Sequence, residues 1–116
     1  MMRSCCLTFL LALVLLTCLA VPANQRKSKG RTTPQLYASL CAACHGADGR
    51  AKTSKGKFSH ARDLTDTKWQ EDVTDERIFN SIMNGRNVRG NMPAFSDKLN
   101  EKEVDSLVSF VRKFKG

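Results

Sequence analysis

The stretch Cys41-Ala42-Ala43-Cys44-His45 decides how the whole chain is interpreted. Its two cysteines stand at positions i and i+3, and a histidine follows the second one directly. Three kinds of site use this arrangement: a zinc site, a thiol redox pair, and the covalent attachment of haem. The rest of the sequence has to distinguish among these three.

The first 23 residues have the three zones of a secretory signal peptide. Arg3 supplies the positive start, residues 7–16 form an apolar core, and Val21-Pro22-Ala23 supplies a cleavage motif. The core is shorter than the roughly 20 apolar residues that a membrane-spanning helix needs. We therefore expect residues 1–23 to be a cleaved signal peptide and the protein to be exported to the periplasm. An uncleaved signal, or lipidation at Cys18, would instead tether the same domain to a membrane.

Cleavage would leave Cys41 and Cys44 as the only cysteines of the mature chain. A structural zinc site needs four ligands, and no second cysteine pair supplies them. A thiol redox pair is expected at the start of a helix in a βαβ unit, whereas this pair ends a predicted helix in a chain without strand patterns. Covalent haem is favoured, because positions i, i+3 and i+4 of a helical turn share one face that can bind one haem.

The chain is basic, with a formal net charge of +8 at pH 7. Residues 24–32 are polar and basic, so we expect a flexible arm in front of a domain at residues 33–116. The cations that follow the pentapeptide include Lys52, Lys55, Lys57 and Arg62. This charge favours redox partner proteins with acidic docking surfaces, although a solvated loop explains it equally well. We expect no nucleic-acid partner.

The first helix is predicted at about residues 34–44. Thr33 is a good N-cap, and Pro34 suits the first helical position because its missing N–H costs nothing there. Residues 46–73 contain several glycines and few apolar side chains, which indicates a long loop with one short turn near residues 63–70. Loops of this length inside a compact domain are typically functional.

Two further helices have strong start and stop signals. Thr74 can cap the second helix, which ends at Gly85. Asn100 and Glu103 can form a capping box at the start of the last helix. Residues 85–95 between them are punctuated by glycine, which argues against a regular element there.

A haem bound through the histidine of the pentapeptide has a second axial position, and three side chains are candidates for it. Met83 lies on the apolar stripe of the second predicted helix, where a core methionine is the ordinary interpretation. His60 lies in a basic polar loop, where an exposed histidine is expected. Met92 stands between Gly90 and Pro93, so its loop can turn the side chain inward. We expect Met92 to be the ligand, with a loop methionine that fills a core gap as the alternative.

Four stretches of the sequence together form a family pattern. They are Y-x3-C-x2-C-H-G at 37–46, DLTDTKW at 63–69, I-x2-G-x6-MPAF at 82–95, and L-x3-E-V-x2-L-V-x-F-V at 99–111. In these stretches the chain resembles the class I bacterial cytochromes c, which are small c-type proteins with a single haem. The resemblance implies an all-α fold of three to four helices around one covalently bound haem, with the first and last helices crossing.

The resemblance implies a role for each candidate site residue. Cys41 and Cys44 would bind one haem c through thioethers, and His45 and Met92 would be the axial ligands of its iron. Trp69 would contact a haem propionate, with an ordinary core tryptophan as the alternative. The crossing of the terminal helices would be formed by Tyr37, Leu107 and Phe110.

The sequence departs from the family pattern after the pentapeptide. Many class I members have a proline in that loop, and its carbonyl accepts a hydrogen bond from the ligating histidine and fixes its orientation. This loop has no proline. Which carbonyl orients His45 therefore does not follow from the sequence.

The resemblance also implies electron transfer, and it implies that the protein is not an enzyme. We expect a soluble one-electron carrier that shuttles electrons between respiratory or dehydrogenase partners. One alternative is a haem subunit docked permanently on an oxidase or dehydrogenase. The other is an open-site haem protein that binds gas or peroxide.

Overall fold

The computed structural model describes residues 30–115, which form six helical segments. In chain order these are α1 (Thr33–Leu40), α2 (Ala42–His45), α3 (Ser54–Phe58), α4 (Thr67–Asp72), α5 (Asp75–Asn84) and α6 (Glu101–Arg112). Within these residues the only β-type pairing is one isolated bridge, and the all-α fold class is confirmed. The predicted signal peptide at 1–23 and most of the predicted arm at 24–32 lie outside the described residues.

The predicted first helix is in fact two helices joined at Cys41. The N-cap of α1 is Thr32, one residue before the predicted cap Thr33. Cys41 follows the last residue of α1 with φ of −114°. The carbonyl oxygen of Cys41 then accepts the N–H groups of Cys44 and His45 at 3.1 and 2.9 Å, which starts the short helix α2. The sequence did not predict this break because neither glycine nor proline marks it.

The segment between α2 and α5 contains two short helices, where the sequence predicted one short turn. The N–H of Gly56 donates to Thr53 Oγ1 at 2.8 Å and caps α3, and the N–H of Trp69 donates to Asp66 Oδ1 at 2.9 Å and caps α4. These helices have five and six residues, which is too short for apolar periodicity to show. Together with the break at Cys41, they raise the number of helices above the predicted three to four.

The two long helices near the C-terminus begin as predicted, and the first of them also ends as predicted. Thr74 Oγ1 accepts the N–H of Arg77 at 3.2 Å at the start of α5, and Gly85 follows its end with φ of +72°. Asn100 and Glu103 exchange two hydrogen bonds of 3.0 Å at the start of α6. This is the predicted capping box.

The first and last long helices pack against each other through aromatic side chains. The ring of Tyr37 on α1 lies with its centroid 5.0 Å from that of Phe110 and 5.2 Å from that of Phe114. Leu107 is completely buried beside them, so the predicted crossing is confirmed. The buried apolar side chains of the core are Leu36, Tyr37, Leu64, Val73, Ile78, Ile82, Phe95, Leu99, Val104, Leu107, Val108 and Val111. Between residues 30 and 115 no helix is both long and apolar enough to cross a bilayer.

Candidate haem site

The two cysteines lie on the turn that forms α2. Both are free thiols and both are partly buried. Burial, and then the neighbouring Cys44, raises the pKa of the Cys41 thiol to about 12. A redox-active CxxC pair instead needs a thiol whose pKa is lowered, so that the thiolate is available. The thiol redox alternative is therefore disfavoured.

A zinc site is disfavoured on separate grounds. Among the residues that the structure describes, no group of three or more His, Cys, Asp or Glu side chains is arranged to hold a metal ion. His60, which would have to complete such a site, is exposed. Covalent haem is the alternative that needs only the pentapeptide and one further ligand.

The ring of His45 is held in one tautomer by a backbone carbonyl. Its Nδ1 lies 2.9 Å from the carbonyl oxygen of Arg62. A carbonyl oxygen only accepts hydrogen bonds, so Nδ1 carries the proton and Nε2 carries the lone pair. Burial lowers the pKa of His45, against the raising effect of the bond to Arg62, and so favours the neutral ring. The structure thus supplies the orienting carbonyl that the sequence did not identify.

The turn that carries the cysteines is fixed by α3. The hydroxyl of Thr53 is shared between the carbonyl oxygens of Ala43 and Cys44, at 2.8 and 3.1 Å. Gly56 is buried against the same turn, where a Cβ would overlap the carbonyl oxygen of Cys44. From the other side, the hydroxyl of Tyr37 donates to a backbone carbonyl just after α2 at 2.8 Å.

Met92 lies in the loop that follows α5, which we call the methionine loop (residues 85–95). Arg86 and Met92 exchange two backbone hydrogen bonds of 2.8 and 2.7 Å and close this loop. Gly85 has a left-handed φ of +72°, and a Cβ there would stand 2.7 Å from the carbonyl oxygen of Met92. The Met92 side chain is partly buried and packs against the core.

The methionine loop is bonded to the stretch that orients His45, which we call the 59–64 segment. The N–H of Asn91 donates to the carbonyl oxygen of Ser59 at 2.9 Å. Gly90 packs on the carbonyl of His60, where a Cβ would come within 2.9 Å of the oxygen. The segments that carry the two predicted axial ligands therefore meet at one short stretch of backbone.

The side chains of the other candidate residues make none of these contacts. Met83 is partly buried against the core, as expected of a core methionine. His60 is exposed and has a left-handed φ of +51°. Trp69 is partly buried against the core, and its indole N–H has no hydrogen-bond partner among residues 30–115. Its predicted contact with a propionate stays a prediction.

These residues fit a covalently attached haem. Two free thiols stand on one helical turn, and the adjacent imidazole uses Nδ1 for a carbonyl, which leaves Nε2 for a metal. The predictions from sequence missed Arg62, Thr53 and Gly56, all of which act through backbone atoms or contacts with backbone. Only Thr53 had a signal that could have revealed it, because threonine is a preferred N-cap.

Comparisons with known proteins agree with this chemistry. Residues 28–111 match the family described as cytochrome C oxidase, cbb3-type, subunit III. The chain is 32% identical over 82 residues to the cbb3-type cytochrome c oxidase subunit FixPc of Rhizobium leguminosarum bv. viciae, which covers 71% of this chain and 26% of that subunit. It is 34% identical over 79 residues to cytochrome c6 of Bryopsis maxima, which covers 67% of this chain and 83% of that protein.

A solved structure has the same architecture. The c-type cytochrome KustC0563 aligns with a TM-score of 0.67 and 38% sequence identity, over 74% of this chain and 100% of that one. The chain spans only about a quarter of the oxidase subunit that it matches, whereas it spans most of the small cytochromes. The chain therefore belongs to the c-type cytochromes of the cbb3 subunit III family, whose domain binds haem c covalently and takes part in electron transfer.

Proposed function

We propose that this chain is a soluble one-electron carrier in which Cys41 and Cys44 bind the haem and His45 and Met92 ligate its iron. The observation that carries the proposal is the hydrogen bond between His45 Nδ1 and the carbonyl of Arg62. It leaves Nε2 as the metal-binding nitrogen, on the same turn as both thiols. The likeness to cytochrome c6, a protein of similar size, supports a carrier.

The chain's own residues favour electron transfer over chemistry on a substrate. The bound haem supplies a one-electron Fe(III)/Fe(II) couple. The thioether of Met92 favours Fe(II) and so raises the reduction potential. The bridge between Arg86 and Met92 closes the backbone of the methionine loop at the proposed iron ligand, which supports a ligated iron over one that is open to gas or peroxide. For this reason we propose that the protein is not an enzyme.

The indole of Trp69 is proposed to bind a haem propionate. It is partly buried, yet its N–H has no partner within the described part of the chain. Buried or half-buried tryptophan N–H groups usually find a hydrogen-bond acceptor. A propionate oxygen would supply it.

Docking of an acidic partner is proposed on the surface around α3 and the methionine loop. Phe58 at the end of α3 is 88% exposed, and Val88 in the methionine loop is 65% exposed. The bond between Asn91 and Ser59 joins the segments that carry these two side chains. Apolar contacts hold partners together at short range, while cations steer them in. The cations on these two segments are Lys55, Lys57, Arg86 and Arg89.

A second candidate function is that of a haem subunit docked permanently on an oxidase. The similarity to FixPc, an oxidase subunit, favours it, and so do the exposed Phe58 and Val88. The two functions differ in how the protein is isolated from its native membranes and periplasm. A carrier is recovered as a free monomer whose reduction rate depends on salt, whereas a subunit is recovered with the oxidase.

The ligand set is tested by the ferric absorption spectrum of the pure protein. We expect a methionine-to-iron charge-transfer band in the far red, present in the wild type and lost in Met92→Ala. The matched control is Met83→Ala, which removes a core methionine and should keep the band. A high-spin ferric spectrum of the wild type would contradict the proposal and support an open site.

Export to the periplasm is part of the proposal and is tested by intact mass. The mass should correspond to one haem added to a chain that begins at residue 24. A chain that still contains residues 1–23, or one that carries lipid on Cys18, would support the tethered form.

A further inference from the structure

The 59–64 segment is held in place by polar contacts made by Leu64. Arg62 supplies the carbonyl that orients His45. Two residues later, the N–H of Leu64 donates to the carbonyl of Gly49 at 2.7 Å, and its own carbonyl accepts from Gln70 Nε2 at 2.8 Å. Both backbone polar groups of Leu64 are therefore hydrogen-bonded, one to a residue before the segment and one to a residue after it.

Between residues 30 and 115, Gln70 is the only polar residue that is buried, with 5% of its surface exposed. Its Nε2 also donates to the carbonyl of Val111 on α6 at 3.0 Å, across 41 positions of sequence. Its Oε1 accepts from Arg112 Nη1 at 3.1 Å. Both polar atoms of the amide are thus bonded, and the amide ties the 59–64 segment to the last helix.

Arg112 fixes the backbone on which Gln70 is carried. Its Nη1 donates to the carbonyl of Gln70 at 2.6 Å, and its Nη2 donates to the carbonyl of Val73 at 2.7 Å. Its Nε donates to Asp75 Oδ1, also at 2.7 Å. The guanidinium of Arg112, on α6, is therefore hydrogen-bonded both to the C-terminal part of α4 and to the start of α5.

We propose that Gln70, supported by Arg112, is a positioning residue for the histidine ligand of the haem. By holding Leu64 it holds the carbonyl of Arg62 against His45 Nδ1. The strength of that hydrogen bond sets how basic the imidazole is, and so how well it stabilises Fe(III). This inference rests on the proposed role of His45 as an axial ligand.

The test uses the haem-loaded protein as it is isolated and the variant Gln70→Leu, which removes the amide and leaves an apolar side chain in its place. In the ferric NMR spectrum we expect the Nδ1–H of His45 to exchange with solvent on the order of ten-fold faster than in the wild type. The reduction potential should rise, because a less basic imidazole stabilises Fe(III) less. Arg112→Leu should change both quantities in the same direction and by less.

The matched control is Asn100→Ala, which removes the cap of α6 without touching Leu64. It should lower stability and leave the Nδ1–H exchange rate and the potential unchanged. If Gln70→Leu does not fold, Gln70→Glu replaces it, since a carboxylate keeps the bond to Arg112 but cannot donate to Leu64. Exchange and potential that stay at wild-type values in the Gln70 variant would overturn the inference.

Failure of the proposed function gives a different result. If His45 is not an iron ligand, the wild type itself shows no paramagnetically shifted Nδ1–H signal from this residue. If the signal is present and insensitive to Gln70, only the positioning role is wrong.

Discussion

The Cα of Gly56 lies so close to the carbonyl oxygen of Cys44 that any side chain at position 56 would overlap it. The helix α3 therefore touches the cysteine turn through its backbone. This contact requires glycine for space and not for dihedral freedom, because Gly56 has ordinary helical geometry. It makes α3 part of the wall that shapes the haem attachment site.

Gly56→Ala should accordingly destabilise the protein by about 1–3 kcal/mol, the usual cost of overpacking, and should lower the yield of haem-loaded chain. Denaturant unfolding and the ratio of haem to protein are the measurements. Lys57→Ala on the same helix is the control and should change neither. Wild-type stability in Gly56→Ala would mean that α3 can move away from the turn at no cost.

Thr53→Val should also weaken the contact between α3 and the cysteine turn. The hydroxyl both caps α3 and binds the carbonyls of Ala43 and Cys44, so its loss should cost about 1–2 kcal/mol in the free energy of unfolding. Thr53→Ser keeps the hydroxyl and should recover most of this loss. If Thr53→Val is as stable as the wild type and Thr53→Ser is not, the methyl group and not the hydroxyl matters.

Tyr37 should remain protonated until the protein unfolds in alkali. Burial, then the neighbouring Cys41 and Asp48, raises its pKa above the ordinary value of 10.0. The unfolded chain thus loses this proton at a lower pH than the folded chain. The contribution of Tyr37 to the free energy of unfolding is therefore complete below pH 10 and is lost as the pH rises above that value. Tyr37 is the only tyrosine, so tyrosinate absorbance reports on it alone.

The expected titration shows tyrosinate appearing together with the loss of helical circular dichroism. In Tyr37→Phe the fall in stability above pH 10 should be smaller. Ionisation of Tyr37 near its ordinary pKa in a fully folded protein would contradict the burial of its hydroxyl against Gly46.

Gly85→Ala should loosen methionine ligation. The position has a left-handed φ, and a Cβ would stand 2.7 Å from both the Met92 carbonyl oxygen and the Ala94 nitrogen. We expect the far-red band to disappear at a lower temperature than in the wild type. Val88→Ala, an exposed change in the same loop, should leave that temperature unchanged.

Reversal of charge on α3 should slow reaction with anions. The double variant Lys55→Glu, Lys57→Glu should reduce the rate of electron exchange with hexacyanoferrate several-fold at low salt, and the difference should vanish as salt is added. Lys102→Glu, Lys113→Glu on and after α6 changes the net charge equally and should slow the reaction less. Equal slowing would mean that net charge, and not the surface around α3, controls the approach.

The parts of this fold that could be predicted are those with local signals. The helix α6 has a capping box and an apolar stripe, and α5 has a threonine cap and a terminal glycine, so their limits follow from the sequence. The short helix α3 could not be predicted, because five residues are too few to show periodicity. The break at Cys41 has no marker at all in its side chains.

The candidate site divides in the same way. Cys41, Cys44, His45 and Met92 are recognisable because their side chains would carry the proposed chemistry. The carbonyl of Arg62 is not, since every residue has a carbonyl and only the path of the backbone decides which one meets His45. Gln70 could not be distinguished from a surface glutamine, because its burial depends on α6, some forty positions later.

The hydrogen bond from Asn91 to Ser59 joins the loop of Met92 to the segment that orients His45. Proteins open locally in contiguous units and not residue by residue. Because the 59–64 segment contacts both the turn of His45 and the loop of Met92, its opening would release both together. Under the proposed ligand set, loss of Met92 from the iron would then be accompanied by exposure of the His45 Nδ1–H to solvent, because one segment holds both.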